Sequence, residues 1–132
     1  MLTIGQSASF TKRITENDIN AFAEISGDFN PIHVDEEAAK KSMFGRKIAP
    51  GMLPASFISA VLGMYLPGEG TIYLSQNLQF LKPVDIGDEI TAKVTVAEVI
   101  NPDKGIYRLE TACVNQKDEL VIDGDAVVKY KD

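Results

Sequence analysis

Met52-Leu53-Pro54-Ala55-Ser56-Phe57-Ile58-Ser59-Ala60-Val61-Leu62-Gly63-Met64 places apolar residues all around a helical projection instead of in one stripe. A helix of this kind is expected to be wrapped by protein. Pro54 falls in the first turn, where a missing N–H is tolerated. From Thr71 onward the hydrophobic period changes to two. Strands are predicted near 71–81, 89–100, 106–115 and 120–131. Their separators, Asp85-Ile86-Gly87-Asp88, Asn101-Pro102-Asp103-Lys104-Gly105 and Gln116-Lys117-Asp118-Glu119, are turn-like. An apolar helix followed by an antiparallel meander implies an α+β domain, one sheet curling around one helix. Its open edges call for cover, and a homodimer joining two sheets would cover one on each subunit.

Upstream, residues 8–14 alternate loosely and read as a first strand. Thr15 with Asp18 resembles a capping pair, and Ile19, Phe22, Ala23 and Ser26 follow at helical spacing until Gly27. A second short helix is expected over 35–42. Its acids lie at the N-terminal end and its lysines at the other, as the helix dipole favours.

Between these helices runs Ser26-Gly27-Asp28-Phe29-Asn30-Pro31-Ile32-His33. It sets a carboxylate and the chain's only histidine five positions apart, on a segment that cannot be helical throughout. Gly27 permits a turn that other residues resist, and Asn30, before Pro31, is pushed toward an extended conformation. A loop fixed this way can aim Asp28 and His33 at one point. Around a shared water, the two make a minimal acid–base device. The same string also suits a helix-ending turn with a capping Asp and a surface His.

The segment from Phe22 to His33, followed by Ala38-Ala39, resembles the signature of the R-specific enoyl-CoA hydratases, the MaoC-like dehydratases. Ile48-Ala49-Pro50-Gly51-Met52-Leu53 opens the buried helix in that family's manner. Ile72-Tyr73-Leu74 through Phe80-Leu81-Lys82-Pro83-Val84, with Gly87-Asp88, resembles its next strand and turn. The likeness runs over nearly the whole chain, and is nearest to the short bacterial hydratases that feed polyhydroxyalkanoate synthesis. It implies a hotdog fold formed by a single domain over residues 1–132. The implied reaction is reversible hydration of a trans-2-enoyl-CoA to the (3R)-3-hydroxyacyl-CoA. No metal or organic cofactor is expected, and coenzyme A enters as part of the substrate.

That reaction needs water deprotonated as it attacks C3, a proton delivered to C2, and stabilisation of charge on the thioester oxygen. The resemblance gives the first two tasks to Asp28 and His33. It gives the third to the backbone N–H of Gly51, at the positive end of the helix dipole. A donor aimed at developing charge can be worth roughly 3 kcal/mol of barrier. A glycine there would also leave room for the thioester; read alone, Gly51 is an ordinary tight turn. Many relatives have a histidine before this glycine, where this chain has Pro50. His33 therefore has no substitute. Asn30 reads as a scaffold residue pinning the loop, with direct substrate contact as the alternative. Ser59 matches a site-facing polar position and could bond Asp28 or the water, or else its own backbone. Leu62 and Phe80 read as core, and the resemblance makes both border the acyl pocket. Leu62, three residues from Ser59, is expected one turn deeper, where it would favour short acyl chains.

Composition bounds the rest. With 132 residues, 45% hydrophobic, the chain suits one globular domain. A net charge of −6 without a basic stripe argues against nucleic-acid binding. One cysteine and one histidine leave neither an intrachain disulfide nor a zinc cluster. Cys113 reads as core. No signal peptide or membrane span is read, so a soluble cytoplasmic protein is expected. Lys40, Lys41, Arg46 and Lys47 form a candidate rim for the coenzyme A phosphates, with Lys82 a weaker addition. An acyl-carrier-protein dehydratase is the near alternative, disfavoured by the acidic charge. A hotdog thioesterase or an acyl-CoA sensor lies further off, since neither needs the Asp28/His33 pair.

Overall fold

Thr15 ends one element and opens the next. In the computed structural model, which describes residues 1–131, β1 (Ser7–Arg13) stops just before it and α1 (Glu16–Ser26) starts just after it. The Thr15 hydroxyl accepts from the Asp18 N–H, while the Asp18 carboxylate accepts from the Thr15 N–H. Such a reciprocal cap contributes about 1 kcal/mol. Gly27 ends the helix at φ 82°, a left-handed conformation that favours glycine. Two short helices follow, α2 (Pro31–Val34) and α3 (Glu36–Lys40), and then the long α4 (Met52–Met64). The remaining strands are β2 (Ile72–Phe80), β3 (Glu89–Asn101), β4 (Ile106–Val114) and β5 (Leu120–Lys129).

All strands join one antiparallel sheet in the order β1-β3-β4-β5-β2. Strands β3, β4 and β5 form the expected meander, but β2 does not belong to it. β1 occupies the free edge of β3, from Ser7 opposite Thr95 to Arg13 opposite Glu89. That leaves β2 the far edge, beside β5, from Ile72 opposite Lys129 to Phe80 opposite Ile122. The approach is close at Gly124, where a Cβ would lie 2.0 Å from the Asn77 carbonyl oxygen. Only glycine fits.

The concave face of the sheet packs on α4. Ile58, Val61 and Leu62 meet a cluster that includes Ile90, Val94, Val96, Leu109, Ile122 and Val128, all 0–1% exposed. Each such side chain contributes about 1.5–3 kcal/mol on leaving water. Cys113 lies in the same core, and burial pushes its thiol up to about 12. The expectation of a fully wrapped helix is corrected. α4 is covered on one flank, while Met52, Ser56, Ser59 and Met64 remain exposed on the other. The strand that could have covered them, β2, stands at the sheet edge with Ile72, Tyr73 and Leu74 exposed.

Candidate active site

The turn after α1 is built from side chains bonding to nearby backbone. The Ser26 hydroxyl donates to the Phe22 carbonyl (2.6 Å) and accepts from the Asp28 N–H (3.1 Å). One carboxylate oxygen of Asp28 accepts from the Asn30 N–H at 3.1 Å. Asn30 has extended backbone (φ −51°, ψ 122°), and its side-chain oxygen caps α2 by accepting from the Ile32 N–H (3.3 Å). Pro31 then takes the first helical position, which suits its missing N–H. The segment is thus not loop throughout: a single helical turn carries His33.

His33 points inward. Its Nδ1 lies 2.7 Å from the Ile48 carbonyl oxygen. A carbonyl only accepts, so Nδ1 carries the hydrogen and, in the neutral ring, Nε2 keeps a bare lone pair. The ring lines a cavity of about 440 Å³ whose walls include Gly51, Met52, Phe80, Lys82 and Ile122. Gly51 stands at the mouth of α4, which has no side-chain cap. The first amides of that helix therefore face the region without a side-chain acceptor. The room beside Gly51 is not open, as the sequence had suggested. A Cβ there would come within 2.7 Å of two Phe80 ring carbons. The glycine admits the ring, and Phe80 forms the cavity wall above it.

The structure brings His33, Gly51 and Phe80 together, and leaves the other candidates outside that cavity. Asp28 is exposed and lies outside the lining of that cavity; Asn30 caps α2 and lies outside it too. Ser59 lines a second cavity of about 490 Å³ with Phe22, Ala55, Tyr73 and Gln76, which Met52 separates from the first. Among the described residues its hydroxyl bonds neither Asp28 nor its own helix. Leu62 does not border either cavity: it is 1% exposed and sealed in the core. Three residues turn a helix by about 300°, enough to carry Leu62 from the flank of Ser59 into the buried face.

The cationic rim is also revised. Arg46 is committed to Asp85, and Lys47, only 9% exposed, to Glu16 and to Glu36 at 3.6 Å. The Glu16 contact, chiefly, raises the Lys47 ammonium above its ordinary range. Lys40 and Lys41 stay exposed and, among the described residues, outside any ion pair. Lys82 reaches the cavity wall while pairing with Glu119 at 2.7 Å. Sequence reasoning missed three participants. The Ile48 carbonyl is a main-chain atom with no residue signature, Met52 passes for core, and the Arg46–Asp85 pair joins charges 39 residues apart.

A family model described as a MaoC like domain matches residues 2–117. The (R)-specific enoyl-CoA hydratase of Rhodospirillum rubrum is 50% identical over 124 residues, covering 94% of this chain and 85% of the relative. The 3-hydroxybutyryl-CoA dehydratase of Methylorubrum extorquens is 48% identical over 128 residues, covering 97% and 80%. The solved (R)-hydratase of Aeromonas caviae, described as involved in PHA biosynthesis, superposes with a TM-score of 0.93 at 45% identity and covers 98% of each chain. The five-stranded sheet around α4 is a hotdog fold, and this chain belongs to the MaoC-like dehydratase family.

Proposed function

We propose that this protein is an R-specific enoyl-CoA hydratase, adding water reversibly to a trans-2-enoyl-CoA to give the (3R)-3-hydroxyacyl-CoA. The observation that carries the reading is His33. Its Nδ1 is fixed on the Ile48 carbonyl and its ring lines an apolar cavity at the N-terminus of α4. The loop that bears it also carries Asp28. Between them, Asp28 and His33 hold the water, take its proton as the oxygen bonds C3, and return a proton to C2. The Gly51 N–H steadies the charge on the thioester oxygen. The hydration is redox-neutral, Asp28, His33 and the Gly51 N–H supply its proton transfers and charge stabilisation, and coenzyme A arrives with the acyl group. Asn30 keeps the loop in register, Phe80 walls the acyl chain, and the chain's far end runs toward the cavity that Ser59 lines, with Leu62 packed in the core.

A second copy completes the arrangement. Among the described residues the outer edge of β2 is unpaired, and Ile72, Leu74, Phe80, Met52 and Phe29 are each at least 50% exposed. Ile72, Leu74 and Phe80 lie on that strand, and exposed apolar side chains along an open sheet edge favour association. A homodimer joined here buries them and encloses the exposed Asp28 with the substrate. Among the described residues no helix is long and apolar enough to cross a membrane. We place the reaction in the cytoplasm, where acyl-CoA thioesters are made and consumed. The likeness to a hydratase of PHA biosynthesis supports a role in supplying polyhydroxyalkanoate precursors.

The test is to incubate the purified protein with crotonyl-CoA, follow loss of the enoyl absorbance, and analyse the product by chiral chromatography. The (3R)-hydroxybutyryl-CoA is expected. Release of free thiol without hydration would identify a thioesterase instead, and a preference for the carrier-protein thioester would move the enzyme to fatty-acid synthesis.

A further inference from the structure

The chain's single imidazole takes its orientation from the Ile48 carbonyl, which precedes α4. Ile48 pairs through an isolated bridge with Asp85, on the turn between β2 and β3. Beside it, the Ala49 N–H donates to the Val84 carbonyl at 2.8 Å. A side chain two residues upstream finishes the attachment. Arg46 donates from Nε and Nη2 to the two carboxylate oxygens of Asp85, the latter at 3.2 Å, and from Nη1 to the Phe44 carbonyl at 3.0 Å. Two parallel N–H bonds from a planar guanidinium fix angle as well as distance.

Asp85 is itself held. Its N–H donates to one carboxylate oxygen of Asp88 (2.9 Å), whose other oxygen accepts from the Gln116 side-chain amide (2.9 Å). A continuous line of contacts therefore runs from the β4–β5 turn through Asp88, Asp85 and Arg46 to the segment that orients His33. Neither Arg46 nor Asp85 lines the His33 cavity.

We propose that the Arg46–Asp85 pair positions His33. It holds the Ile48 carbonyl where Nδ1–H must point, and so selects the tautomer that leaves Nε2 bare for proton transfer. The pair acts only through Ile48, and the proposal rests on the assignment of His33 to the chemistry. Arg46 and Asp85 are 51% and 38% exposed in their side chains, and surface pairs of this kind add little to stability. Their removal leaves the fold in place and exposes the positioning effect.

One histidine makes the test direct, because protein labelled with ¹⁵N-histidine gives resonances from one imidazole. At about pH 9, where a free imidazole is neutral, the parent protein is expected to show a protonated Nδ1 and an unprotonated Nε2. In Arg46→Gln and Asp85→Asn the two shifts should move toward the mixture of an unconstrained ring. Turnover of crotonyl-CoA should fall about 10-fold in kcat with little change in KM, the mark of misplacement rather than lost binding. The double variant should be no worse than either single one, since the two side chains act as a unit. Arg46→Lys, which keeps the charge but loses the fork, should lie between. Parent-like imidazole shifts in the folded single variants would overturn the proposal, as would altered shifts with undiminished kcat. Failure of the hydratase reading is separate: the parent would then turn over no enoyl-CoA, while the imidazole spectra would still decide whether the pair selects the tautomer.

Discussion

The Phe80 ring rests on the backbone of Gly51, leaving no room for a side chain between them: a Cβ at position 51 would lie 2.7 Å from the ring's Cδ1 and Cε1. Gly51→Ala must therefore displace Phe80 from the cavity wall. Phe80 is half exposed and can swing outward, so the cost should stay below the roughly 1–3 kcal/mol of core overpacking, visible as a small fall in Tm, and the displaced ring should raise KM for crotonyl-CoA. Phe80→Leu in the Gly51→Ala background should recover most of the stability. An additive loss in the double variant would show that the two residues do not share this space.

The proposed acid–base pair is tested by substitutions that keep size. Asp28→Asn and His33→Gln should each lower crotonyl-CoA turnover by at least ~10²-fold, because proton transfer is the lost contribution. Both positions lie outside the core, so melting curves should stay near that of the parent. Near-normal turnover in either folded variant would remove the mechanism.

Leu62 is sealed in the core, about one helical turn along α4 from Ser59, which lines the second cavity. Leu62→Ala should cost about 2–5 kcal/mol, as expected when a buried leucine leaves a void. The space released lies one helical turn beyond Ser59, so the activity ratio of octenoyl-CoA to crotonyl-CoA should rise. An unchanged ratio in the folded variant would confine Leu62 to packing.

Assembly is checked by light scattering at micromolar concentration, where a dimer mass is expected. Leu74, 50% exposed on the edge strand β2, is the position to perturb. Leu74→Glu introduces charge on a surface that must lose water, and should yield monomers with at least ~10-fold lower activity. A parent protein that scatters as a monomer would sink the proposed enclosure of Asp28.

Much of this molecule could be read from local chemistry, and the exceptions share a cause. Thr15, Asp18 and Gly27 mark the limits of α1 because caps act over a few residues. Met52–Met64 and the four later strands announce themselves by period. The place of β2 does not, because its neighbour depends on β1 having taken the edge of β3, a pairing between segments about eighty residues apart. Spacing put Asp28 and His33 on one loop, yet could not tell that only the imidazole would line the cavity of a single chain. It also placed Leu62 beside Ser59 without revealing which flank of α4 the sheet covers. The Ile48 carbonyl was out of reach altogether, since hydrogen bonds to main chain leave no mark in residue identity.

The position of β2 beside β5 also sets the order of events during synthesis. A nascent chain that has reached Phe80 holds two strands and no sheet, because β1 must wait for β3 and β2 for β5. Neither outer strand can pair with its neighbour until later segments have emerged. Pairings so distant in sequence form slowly, and unpaired strands are open to other chains meanwhile. The apolar Met52–Met64 segment emerges well before its cover. It gains its cover as β3 pairs with β1 and β4, and the sheet is complete only when β5 takes its place between β4 and β2.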